Sequence, residues 1–229
     1  MNRILFTLFC AANLAIAIAQ VTCAQTQPAR AVPMTAAPQF VDGIAARIED
    51  DVITESEVRQ LGAFQKLVDG QSKPRAELIR ELEDQWIVRG EAQVARYAQP
   101  SSFDVNHAYD ALIAKFRSPE EFKQRCSEAG LSEGTIRRML AEQLYLSGFL
   151  DYRFRPTAQI EEPQLDDYYN NEFVPKLKAQ GSPVPPLADV EDAIREVLVQ
   201  RVIDQRSAQW LNETRTHLKV DVMPQGDQQ

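Results

Sequence analysis

Apolar residues recur along most of this chain at helical spacing, and only the two ends of the patterned region alternate as strands do. Ile44 to Ile48, the polar Glu49-Asp50-Asp51 and then Val52-Ile53 read as a strand, a tight turn and a second extended piece. Thr54 with Glu57 three residues later forms a capping box, flanked by Ile53 and Val58 in staple positions. A helix therefore starts at Glu55 and runs to about Val68, with Leu61, Phe64 and Val68 on one face, and Asp69-Gly70 ends it. Pro74 opens a second helix reaching about Ala98, with Leu78, Leu82, Trp86 and Val94 on its apolar face. Asp104 is the expected cap of a third helix carrying Val105, Ala108, Leu112 and Phe116. Ser118-Pro119-Glu120-Glu121 opens a short fourth that closes at Gly130. Ser132 caps a long fifth, Glu133 to Phe154, bearing Met139, Leu140, Leu144, Phe149 and Leu150. Pro163 begins a sixth that runs to about Phe173. Residues 174–186, dense in proline, read as a loop. Val190 to about Thr216 is a last long helix, and Leu218 to Val222 alternates as a strand. The expected fold is mainly α: one multi-helix domain over residues 40–222, closed by a small β-sheet that joins the two ends of the chain.

The N-terminus belongs to another physical class. Asn2 and Arg3 precede an apolar run from Ile4 to Ala19, and Thr22-Cys23-Ala24 supplies small residues for cleavage. The run is shorter than the roughly 20 residues that span a bilayer, so residues 1–24 read as a cleavable signal peptide and the mature chain as exported. Acylation at Cys23 is the less favoured variant, because Gln20-Val21-Thr22 is a poor approach to a lipidated cysteine. Residues 25–39, rich in Pro, Ala, Gln and Thr, read as a flexible linker, and residues 223–229 as a polar tail. No later segment has the length and apolarity to span a membrane.

Charge narrows the choice of partners. Acidic residues number 33 and basic residues 25, for a net charge of −8. Neither phosphate neutralisation on a nucleic acid nor a basic membrane-surface helix fits that balance. Only 9 glycines are present, few for a sandwich, a barrel or a phosphate-cradling loop.

Candidate chemistry is sparse. Gly130-Leu131-Ser132-Glu133-Gly134 matches the G-x-S-x-G of a nucleophile elbow, but the segment before it is charged and helical where that motif needs a buried strand. His107 and His217 lie far apart in sequence, and no C-x-x-C or H-x-x-x-H spacing occurs, so no metal site is expected. No P-loop is present, and ATP-driven work or another cofactor is not expected. Once a leader is removed, Cys126 stands alone and reads as a buried helical thiol. No catalytic residue is assigned. The remaining feature is an aromatic run, Tyr145, Phe149, Tyr152 and Phe154, of which the first three share a helix face. It reads either as core or as an apolar groove that takes a segment of another chain.

The segment from Phe40 to Val58, with its Val52-Ile53-Thr54-Glu55-Ser56-Glu57-Val58, resembles the opening of SurA-type periplasmic chaperones. The order of later features is similar too: the long second helix, Phe122 to Ser132, Arg137-Arg138, Ile160 to Tyr169 and Leu218-Lys219-Val220. Arg47 and Glu49 depart from the family's apolar residue and Asn, which predicts a differently built first turn. The family commonly inserts parvulin prolyl isomerase domains after the equivalent of Tyr168-Tyr169, where this chain has only residues 174–186 before its last helix. The resemblance thus implies an ATP-independent periplasmic chaperone body for unfolded clients, outer-membrane proteins foremost, and not an enzyme. Competing readings are a prolyl isomerase and an envelope assembly factor with one dedicated partner.

Overall fold

A computed structural model of the chain describes residues 42–224. The expected leader 1–24 with Cys23, the linker 25–39 and residues 225–229 of the tail lie outside the described residues. The elements follow as β1 (Ile44–Ile48), β2 (Asp51–Thr54), α1 (Glu55–Asp69), α2 (Arg75–Val94), α3 (Ser102–Ile113), α4 (Pro119–Glu128), α5 (Glu133–Phe154), α6 (Glu162–Tyr168), α7 (Val174–Ala179), α8 (Leu187–Arg215) and β3 (Val220–Val222). The fold is mainly α with one small antiparallel sheet of order β2-β1-β3.

That sheet joins the two ends of the described chain. β1 pairs with β2 through the 49–50 turn and with β3 on its other side, matching Ala46 to Val222 and Ile48 to Val220. A bulge between Ile44 and Ala46 lets both Ala45 and Ala46 turn inward, which strict alternation forbids. The turn carries a strained residue. Glu49 adopts a left-handed φ of 50°, where a side chain is normally disfavoured. Its carboxylate accepts the Lys219 amide at 2.7 Å and its own amide donates to the Lys219 carbonyl at 3.0 Å, so β3 holds the strained residue in place.

Local chemistry sets the helix ends. Thr54 and Glu57 make the reciprocal capping box at α1, and Gly70 closes that helix with φ of 77° and its amide on the Lys66 carbonyl. Ser118 and Ser132 cap α4 and α5. The cap of α3 is Ser101, not Asp104. Asp104 is instead the third helical residue and returns a bond to the Ser101 amide, because serine followed three residues later by an acid forms the box. Helix α2 stops at Val94, short of Ala98, and Val94 is 84% exposed and off the apolar face.

The expected loop at 174–186 is half helix. Helix α7 follows α6 through one π-helical turn, Tyr169–Phe173, in which the Val174 amide reaches back to the Tyr169 carbonyl. Pro175, which lacks an amide and crowds the carbonyl four residues earlier, sits in the first turn after that widening, where both penalties are relieved. Residues 180–186 then lead into α8, which begins at Leu187, three residues before the expected start.

Three apolar clusters organise the helices. One joins the inner face of the sheet to α1 and the start of α2 through Ile48, Ile53, Leu61 and Ile79. A second joins α3, α4 and the start of α5 through Tyr109, Phe122 and Ile136. The third joins the later part of α2 to α5 and α8 through Val88, Ala92, Phe149, Trp210 and Leu211. Helix α6 docks Leu165 near α8, where Arg201 meets Glu172 through two bonds of 2.6 and 2.5 Å. No described helix is long and apolar enough to cross a membrane.

Candidate functional site

The four aromatic candidates do not form one surface. Tyr145 and Phe149 are 2% and 1% exposed, enclosed with Val88, Ala92 and Leu146. Tyr97, just past α2, closes over them with ring centroids 5.8 Å from both. These two rings are core, and the groove expected from them is not an opening in the described structure. The i, i+4, i+7 stripe is real, but it faces α2 and α8. Tyr152 lies beyond the end of that contact, 63% exposed, with its ring 5.5 Å from Tyr97. Phe154 is half-buried against Trp210 at 6.0 Å, and Arg153 covers the same indole at 4.7 Å.

A wide cleft opens instead between α1, α2 and α5, with a volume of about 1110 Å³. From α1 come Leu61, Phe64 and Val68; from α2, Leu82; from α5, Met139, Leu146 and Leu150. Leu61 and Leu146 are buried at its floor and the others are half-buried along the walls. Each belongs to the apolar stripe of its helix, so the periodicity that builds the core also builds the cleft. Three cylinders meeting at an angle cannot cover every position of stripes this wide.

The rim is polar, and two ion pairs tie down half of its charges. Lys73 donates to Glu81 at 2.7 Å, and Glu81 also accepts the Gln65 amide at 2.9 Å. Gln65 in turn takes the Lys73 backbone amide at 3.1 Å, which pins the loop between α1 and α2 to the cleft edge. On the other wall Arg89 of α2 donates to Glu142 of α5 at 2.7 Å. Its hydrogen bond to Glu81 pushes the Lys73 ammonium above its ordinary range, so it stays charged. The rim carries equal numbers of acidic and basic side chains, in a chain whose net charge is −8.

The other candidate motifs resolve locally. Ser132 of the G-x-S-x-G accepts the Thr135 amide at 3.1 Å as a helix cap, and Gly130, at φ of 67°, ends the preceding turn. Cys126 is buried, and burial pushes its thiol upward, away from the reactive thiolate. Among the described residues no three His, Cys, Asp or Glu side chains gather where they could hold a metal ion.

Sequence reasoning identified every apolar wall residue of the cleft except Leu146, yet took all of them for core. Partial polarity beside the stripe was the available signal: Gln60, Gln65, Gln85 and Gln143 flank it on three helices. Comparison with models of known protein families, and with curated proteins, gave no match.

Proposed function

We propose that this protein is an ATP-independent chaperone that holds unfolded clients by shielding their apolar segments in the α1–α2–α5 cleft. The observation that carries the reading is an open cleft with an apolar floor and a rim whose acidic and basic side chains are equal in number. Its volume exceeds the roughly 300–1,000 Å³ usual for small-molecule sites. From Met139 to Leu150 the α5 wall extends about 17 Å at 1.5 Å per residue, the length of about five residues of extended chain. An alternating apolar strand fits that length, and unpaired outer-membrane strands are of this kind. The likeness of residues 40–58 to SurA-type chaperones supports the same clients and a periplasmic setting. The acidic net charge favours solubility of the loaded complex.

Ser147 is exposed at the cleft edge, so Ser147→Trp fills the space without removing a core contact. Light scattering from a urea-denatured porin diluted into buffer should be suppressed by the parent protein and much less by the variant, at an unchanged melting temperature. A folded Ser147→Trp protein that protects porin as well as the parent removes the cleft from the reading.

A further inference from the structure

Four glutamines face the cleft with no hydrogen-bond partner for their side-chain amides among the described residues: Gln60, Gln71, Gln85 and Gln143. They stand on α1, on the loop after it, on α2 and on α5, so glutamines line the cleft on every wall. Gln65, the fifth glutamine of the cleft, is the only one already committed, to Glu81 and Lys73. The rim charges are matched: Lys73 closes on Glu81 and Arg89 on Glu142, leaving two acids, Glu57 and Asp69, against two bases, Lys115 and Arg138.

An apolar strand entering this cleft brings a backbone amide and carbonyl with every residue. Burying those groups unpaired loses free energy comparable to a hydrogen bond each. A charged rim side chain is only a donor or only an acceptor, and selects by client charge. A glutamine amide carries two donors and a carbonyl on one rotatable group, so it pairs with whichever backbone group lies opposite, in any register. Resting on the chaperone reading of the cleft, we infer that its occupant is an extended, uncharged polypeptide segment recognised through its backbone by these four glutamines. The floor then selects for apolar side chains and the rim for an unpaired backbone. A segment already folded into a helix, whose amides are internally satisfied, is excluded by the second condition.

The test compares two fluorescein-labelled ten-residue peptides in which Val or Tyr alternates with Thr. One is all-amide, and the other has two backbone amides replaced by esters, which removes two N–H donors and keeps the side chains and the extended trans geometry. By anisotropy the parent protein should bind the amide peptide roughly tenfold more tightly, as expected for two modest hydrogen bonds. A variant with all four glutamines changed to Met, similar in size and without amides, should bind both peptides equally and no better than the parent binds the ester. Equal binding of the two peptides by the parent overturns the inference, and that arm needs no variant. Full discrimination by a folded four-glutamine variant overturns it as well, as does failure to bind either peptide. Porin protection by the same parent sample separates the two levels: if protection persists the cleft keeps its chaperone reading, and if it is absent both fall.

Discussion

Arg215, in the last turn of α8, donates from Nε to Oδ1 of Asp84 in the middle of α2 at 2.9 Å, across 131 positions of sequence. A second guanidinium nitrogen reaches the same oxygen, and Asn212 accepts a further bond from Arg215 at 2.6 Å. Both side chains of the pair are mostly shielded. Burial still holds the Asp84 carboxyl above its ordinary range against the pull of Arg215. At Asp84 desolvation outweighs the attraction of Arg215, so the pair fixes where the last helix sits more than it adds to stability.

Arg215→Met, which strands the Asp84 carboxylate, should therefore cost about 3 kcal/mol, or roughly 6–12 °C in melting temperature for a chain of this size. Adding Asp84→Leu should recover most of that loss. Calorimetry on the two single variants and the double variant reads the coupling directly. A double variant as unstable as the worse single contradicts that account of the pair.

Glu83 lies beside that pair, buried, with no hydrogen bond to its carboxylate among the described residues. Desolvation raises its pKa, Asp84 adds to the rise, and Arg215 and Arg80 oppose it. A carboxyl with a raised folded pKa binds its proton more tightly in the native state, so its contribution to stability improves as pH falls through that pKa. Glu83→Gln should then melt at or above the parent temperature at pH 7.5, with its advantage shrinking as the parent carboxyl protonates in acid. Denaturation at a series of pH values checks this, and a variant several degrees less stable at pH 7.5 would show that Arg215 outweighs burial.

The two ends of the described residues close on each other at β1, whose second edge is covered by β3 and whose inner face receives Leu218 and Val220. Truncation before Leu218 removes that packing and the two bonds to Glu49, and should unfold the sheet and α1 together, lowering the melting temperature by at least about 10 °C. Truncation after Pro224 should leave it unchanged. If the shorter chain melts with the parent, the closure is not part of the cooperative core.

Replacing Phe149 by Ala should cost about 3–5 kcal/mol, because a fully buried ring leaves a cavity among Val88, Ala92 and Tyr97. Tyr152→Ala should cost little, since most of that ring already meets water. Urea titration of the two variants separates the core part of the aromatic run from its exposed end.

Much of this architecture was legible where a short-range rule decides it. The Thr54–Glu57 box and the Ser132 cap each follow from a few residues with one dominant local preference. The π turn before Pro175 was not, because proline taken alone argues for a break, and only the helix on its far side reveals a widening instead. The cleft was hidden for a different reason. Phe64, Val68, Met139 and Leu150 are as apolar and as periodic as Ile136 or Phe149. Whether a stripe is covered depends on the angle at which the next helix crosses it, which no single helix encodes.

The most direct test of the account is photo-crosslinking with a benzophenone amino acid at Arg138, exposed on the cleft rim, and separately at Asp192, exposed on α8 outside the cleft. With an unfolded, fluorescein-labelled porin as client, the account predicts a strong adduct from position 138, competed by excess unlabelled porin, and little from position 192. Equal adducts from both positions, or an adduct from 192 alone, would contradict it.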